Sequence, residues 1–311
     1  MNTDTDGTSN RVEFHKILVV IDPAAVTHPC LEKAARLATG FGSTLELFIC
    51  DDTPRVPETW AEEARARLRG RRLSMLEALA SPLRAAGLRV EIDSRWHVPR
   101  EEGIVAHAIR SRPDLVVKDA CRHQHDSYMP MDPADPVLIR QLPMPLLLVR
   151  PAPWRAHALI AASVDPCHVA DRPAELDRSL ARLAAAIGEM LSGEAVLLHV
   201  TEPTPHLSGE GVSERARVAD RGRHHEAVST LATGLHVGVD DSGFIEECVP
   251  DGIVQLVDRK QPTMLLMGVS ARDRLEATEI NTASQVLERT ECDLLVVKPQ
   301  GFVSPGLVTR G

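Results

Sequence analysis

The sequence predicts an α/β protein made of two tandem copies of one doubly wound parallel sheet, each copy covered by helices on both faces. Three observations predict it. The chain has 311 residues, enough for two domains at roughly 100–200 residues each. The chain also repeats itself. EGIVAHAIRSRPDLVV (102–117) returns as DGIVQLVDRKQPTMLL (251–266), LLLVRP (146–151) as LLVVKP (294–299), and KILVVIDP (16–23) as HALIAASVDP (157–166). Each return falls roughly 150 residues later and in the same order, the signature of a duplicated unit. Finally, short aliphatic runs alternate with longer helical patterns. Continuous Val, Leu and Ile between helices mark parallel strands buried on both faces.

The elements follow in order. In copy one, KILVVID (16–22) is the first strand, and 27–40 is a helix with Leu31, Ala34, Ala35 and Ala38 on one face. TLELFIC (44–50), a long charged helix over 59–86, and LRVEID (88–93) come next. A helix over 100–111, PDLVVK (113–118), a short helix over 137–141 and PLLLVR (145–150) complete the copy. In copy two the strands are HALIAASVD (157–165), AVLLHVT (195–201), FIEECV (244–249), TMLLMGV (263–269) and DLLVVK (293–298). Its helices are 172–191, 213–233, 252–259 and 279–290. The domains are read as 14–151 and 154–299, joined at Pro151-Ala152-Pro153, with tails at 1–13 and 300–311 expected to be disordered. Such sheets bind ligands beyond the carboxyl ends of the strands, where the strand order reverses. That directs attention to Asp22, Cys50, Asp51 and 118–121 in copy one, and to Asp165, Val200, Thr201 and 267–270 in copy two.

Composition excludes several classes. With 35 Lys and Arg against 44 Asp and Glu, the net charge is −9, which disfavours nucleic acid. Five Phe, three Trp and one Tyr leave little for stacking bases and require an aliphatic core. No apolar run approaches the roughly 18–20 residues of a membrane span, and 1–10 is polar, without the core of an export signal. Six cysteines without CxxC spacing read as free thiols in a reducing compartment, so a cytoplasmic protein is expected.

The opening KILVVIDPA, the Gly-Ile-Val helix followed by a Pro-led strand, and the closing CDLLVVKP resemble universal stress proteins. Two copies in one chain resemble the tandem subgroup. DLVVKDACRHQHD (114–126) and ATEINTASQVLERTECDLLVVKP (277–299) resemble its E type. The resemblance implies a Rossmann-like, five-stranded parallel sheet in each domain. In many members it also implies ATP binding through a Gly-x2-Gly-x9-Gly-Ser/Thr loop after the fourth strand. Glycines there let backbone N–H groups reach phosphate oxygens, and the following helix N-terminus favours the anion. Carried onto copy two, Asp165 takes the place of the first-strand Asp and Val200 the second-strand position. Gly268 matches the first Gly, Ala271 stands at the second, Asn281 at the third and Thr282 at the Ser/Thr position. Arg272 and Arg274 add positive charge, and Glu276 and Glu279 oppose it. In copy one the pattern is absent. Lys118, Asp119, Ala120 and Cys121 open the loop, and Asp119 and Asp126 would repel phosphate.

Other residues have a sharp and a bland reading. Cys121, His123 and His125, with Asp126, alternate along one segment and could hold zinc; otherwise they form a polar loop at the crevice. Cys167-His168 and His28 with Cys30 follow the first strand of each copy and could make a nucleophile pair; a capping turn is the plainer reading. His224-His225-Glu226 lacks the second His of a zincin helix and reads as a solvated face. Arg65, Arg67, Arg69, Arg71 and Arg72 follow Glu58, Glu62 and Glu63 and read as a charged helix surface with a Glu63–Arg67 pair, against a nucleic-acid site. No GxSxG, HExxH or GxxxxGK[ST] occurs. The last strand of each copy is an edge candidate, so the two copies are expected to pair as a pseudo-dimer, and two chains could associate further.

The expected function is a non-enzymatic stress-response module that senses a small ligand. One alternative is ATP bound in copy two with at most slow hydrolysis. Another is zinc or a lipid-like ligand at the mouth of copy one.

Overall fold

The computed structural model describes residues 12–52, 61–120, 132–167, 174–201, 214–239, 245–269 and 282–304. Copy one runs β1 (Lys16–Val20), α1 (Pro29–Phe41), β2 (Thr44–Asp51), α2 (Ala61–Ala85), β3 (Arg89–Trp96), α3 (Arg100–Ser111), β4 (Leu115–Asp119), α4 (Ala134–Gln141) and β5 (Leu146–Val149). Copy two runs β6 (Leu159–Ser163), α5 (Ala174–Met190), β7 (Glu194–Leu198), β8 (Val200–Thr201), α6 (Glu214–Ala232), β9 (Gly238–Val239), β10 (Ile245–Glu246), α7 (Val249–Lys260), β11 (Met264–Gly268), α8 (Thr282–Arg289) and β12 (Asp293–Val297).

One ten-stranded sheet crosses the molecule in the order β3-β2-β1-β4-β5-β12-β11-β6-β7-β9. Within each half the neighbours are parallel. The halves join where β5 meets β12 antiparallel, with Leu148 opposite Leu294. The expected intrachain pairing of last strands is therefore present. In each half the chain starts at a central strand, winds outward, then crosses to the other side. The order reverses between β1 and β4, and again between β6 and β11.

Both faces of the sheet are buried, and successive residues serve opposite cores. Ile17 and Val19 face a core shared with Ala34 and Leu37 of α1, Leu76 of α2, and Leu180 and Ile187 of α5. Leu18 and Val20 face the other core, with Ile104 of α3, Leu138 of α4, Ile253 of α7 and Val286 of α8. Each core is continuous across the two copies.

A buried cluster fastens the seam. Lys33 Nζ, on the buried face of α1, lies 2.8 Å from Oδ2 of Asp293 and 2.8 Å from the Arg150 carbonyl. Asp293 also accepts the Arg150 backbone N–H at 2.7 Å and the Trp154 indole N–H at 2.6 Å. Every lone-pair direction of this buried carboxylate finds a donor, the condition under which a buried charge is tolerated.

Three elements depart from the sequence expectation. α4 starts at Ala134 rather than near 137, because Pro136 falls in the first turn, where no N–H is needed. The second strand of copy two breaks at His199 into β7 and β8, and the third lies in two pieces, β9 pairing β7 and β10 pairing β8. At the break the His199 ring turns to the Val164 carbonyl, 2.8 Å from Nδ1. Of the tails, 1–11 and 305–311 lie outside the described residues, and the carboxyl-terminal one is described only to Ser304. Ser304 is buried, and Phe302, Val303 and Ser304 share a cavity of about 420 Å³ with Ile109, Pro143 and Met144 of copy one.

Candidate functional site

The Gly-Ile-Val repeat has a packing origin. α3 crosses β2 so closely that a Cβ on Gly103 would sit 2.5 Å from Cys50 Sγ and 2.5 Å from His97 Cβ. α7 crosses β8 in the same way, and a Cβ on Gly252 would sit 2.5 Å from Cγ1 of Val200. The two glycines bring each helix down beside the crevice at the strand ends.

In copy one that crevice is filled from within. It is lined by Val20, Ile21, Asp22, Cys50, Arg100, Ile104, Lys118, Asp119 and Asp132, and leaves about 10 Å³ for water, near the threshold for a single molecule. Lys118, at the end of β4, is buried and turns its Nζ to Asp132 at 3.0 Å, to Asp135 at 2.9 Å and to the Asp119 carbonyl at 2.8 Å. Arg100, at the start of α3, donates to Asp132 at 2.8 Å. Asp132 also accepts the Ala134 N–H, the first of α4, at 3.0 Å. A carboxylate clamped by two cations at a helix N-terminus is what that helix end favours. Here the chain supplies its own anion.

The charges follow from this geometry. Burial alone would raise Asp132; Lys118 and Arg100 outweigh it and hold the carboxyl down at about 2. Burial alone would lower Lys118; Asp135 and Asp132 outweigh it and raise its pKa. Asp135, fully enclosed, is pushed up by burial to about 6 against the pull of Lys118. Asp119 accepts the Cys30 N–H at 2.8 Å and so holds the first turn of α1. Asp22 holds the turn after β1 through the Ala24 N–H at 2.9 Å.

In copy two, the register sets Ser163 opposite Met267 on one side and Leu198 on the other. Asp165 and Gly268 therefore lie at the same ends of neighbouring strands, and Val200 opens β8 just beyond the end of β7. Val200 is buried, Gly268 closes β11, and Thr282 opens α8. The Asp165 N–H donates to Asp177 Oδ1 of α5 at 3.2 Å. Ala271 and Asn281 lie outside the described residues, as do Cys121, His123 and His125.

Other sequence readings resolve locally. Three arginines of the α2 run are engaged within copy one: Arg72 pairs with Asp51 at 2.9 Å, Arg69 with Asp93 at 3.2 Å, and Arg65 stacks 3.8 Å over Trp96. The Glu63–Arg67 pair forms at 2.6 Å. Reading His224 as part of a solvated face is corrected, since its side chain is 15% exposed and faces the sheet. Arg100, Asp132 and Asp135 escape sequence reading because nothing in their spacing distinguishes them from surface charges. No helix among the described residues is long and apolar enough to cross a membrane.

A duplicated, doubly wound sheet whose strand order reverses once in each half defines a tandem α/β protein of the kind that places ligands at strand ends. The model of the universal stress protein family matches residues 13–150 and 165–298, and the chain belongs to that family, with two copies of its domain. It is 28% identical to Universal stress protein E of Escherichia coli K12, over 94% of this chain and 96% of that protein. It is 23% identical to a homolog of the same protein from Haemophilus influenzae, over 93% and 98%. Among solved structures, a functionally unknown protein from Pseudomonas aeruginosa PAO1 matches with a TM-score of 0.70 and 22% identity, over 92% of this chain and 93% of that one.

Proposed function

We propose that this tandem universal stress protein is a non-enzymatic, ligand-sensing module of the stress response, and that its ligand is an adenine nucleotide held by copy two. The observation that carries the reading is the difference between the two fourth-strand ends. In copy one, Asp132 takes up the N-terminus of α4 and Lys118 and Arg100 neutralise it, so a phosphate finds neither space nor free positive charge. In copy two, the matching strand ends in Gly268 and the matching helix opens with Thr282, the residue types suited to close phosphate approach. Asp165 and Val200 stand at the ends of the two strands where the adenosine would lie.

Native mass spectrometry of the gently purified full chain with ATP tests this. One nucleotide per chain is expected, lost in Gly268→Val, whose branched side chain blocks the approach of the phosphates. Equal retention by Gly268→Val would overturn the reading.

A further inference from the structure

The structure places three metal-ligating side chains together on the outer side of copy two: Cys167, just after β6; His199, at the break between β7 and β8; and His224, on α6. Their ligand atoms all lie within 4.8 Å of one another. We propose that they form a zinc site.

The hydrogen bonds already prepare the rings. His199 Nδ1 lies 2.8 Å from the Val164 carbonyl. A carbonyl only accepts, so Nδ1 carries the hydrogen and Nε2 is left with its lone pair. That is how a metal-binding histidine is usually held, its far nitrogen fixed by a backbone oxygen. His199 Nε2 faces His224 Nδ1 at 2.7 Å, so without metal one hydrogen lies between the two nitrogens. A cation takes the place of that hydrogen. His224 then carries its hydrogen on Nε2, where Asp220, one turn earlier on α6, has an oxygen 3.9 Å away. Cys167 binds as thiolate and releases one proton to solvent for each metal bound.

Two imidazoles and a thiolate suit zinc, with water as a fourth ligand because Cys167 is exposed. The position also explains α6. Among its described residues Val228 is the one buried, whereas α5 buries eight. A helix with so little apolar cover gains most from a metal that ties it to the ends of two strands. The ligands lie far apart in sequence, so no local motif announces them.

Cobalt and zinc titrations of the full-length, reduced, metal-stripped chain test the proposal. One cobalt per chain is expected, with a thiolate-to-cobalt charge-transfer band. Zinc should displace it, and Cys167→Ser and His224→Gln should each weaken zinc binding by about 100-fold. Both variants alter side chains near the surface, and circular dichroism confirms that each is folded. A folded wild type that binds neither metal overturns the proposal. So does zinc bound equally well by wild type and by the Cys167→Ser, His224→Gln double variant, which would place the metal on other residues such as Cys121, His123 and His125.

Discussion

Copy one and copy two share a strand order, a crossing glycine and a β-strand at the common seam, yet the ends of their fourth strands carry different chemistry. Copy one ends its fourth strand in Lys118 and Asp119 and seals the opening with Arg100, Asp132 and Asp135. Copy two ends the matching strand in Gly268 and sets Asp165 and Val200 beside it. Duplication lets the same strand end carry structural ion pairs in one copy and a glycine in the other. In copy one the Asp132 carboxylate meets the first N–H of α4 and both neighbouring cations.

The largest effect should come from parting the copies. Asp293→Ala leaves the Lys33 ammonium, the Trp154 indole and the Arg150 N–H without their shared acceptor, and about 3–5 kcal/mol of stability should be lost. Urea denaturation measures it; a loss under 1 kcal/mol would show that the sheet alone carries the seam. Next comes the plug of copy one. Asp132→Asn should remove about 2 kcal/mol at neutral pH. The folded carboxyl is depressed to about 2 from 3.8, so the wild type holds this contribution above pH 3.8 and loses it as pH falls through 2. The gap between variant and wild type should close over that range.

Smaller effects probe the matched helices. Gly103→Ala must displace the Cβ of His97 and should remove about 2 kcal/mol, whereas Gly252→Ala meets a Val200 methyl that can turn and should remove about 1 kcal/mol. Equal losses would mean that the two crossings are equally rigid. The smallest effect is a gain. α3 and α7 end in left-handed residues without being glycine, Arg112 at φ 51 and Gln261 at φ 49. Replacing either with Gly should stabilise the chain by roughly 0.5–1 kcal/mol in thermal melts.

The sequence makes the architecture legible because each strand is a continuous aliphatic run and because the chain writes the pattern twice. Gly103 and Gly252 show as a repeat even before their close contacts are known. Asp165, Val200 and Gly268 come from the resemblance and from the rule that ligands lie beyond strand ends, and the register of β6 with β11 sets Asp165 and Gly268 near one another. The plug is not legible. Lys118 is placed at the crevice by the strand-end rule, but Arg100, Asp132 and Asp135 become its partners only when α3, β4 and α4 converge, and each alone looks like a solvated charge. The same holds for Cys167, His199 and His224: alternation predicts an unbroken strand through His199, and His224 sits in a helix whose neighbours are mostly exposed.

Hydrogen–deuterium exchange with and without ATP tests the central claim most directly, because it reports both crevices in one experiment on the intact chain. The account predicts protection in peptides covering 160–167 and 264–285 of copy two, and none in those covering 18–24 and 116–122 of copy one. Protection in the copy-one peptides would contradict it, since a crevice closed by Lys118, Arg100 and Asp132 has no room for the nucleotide.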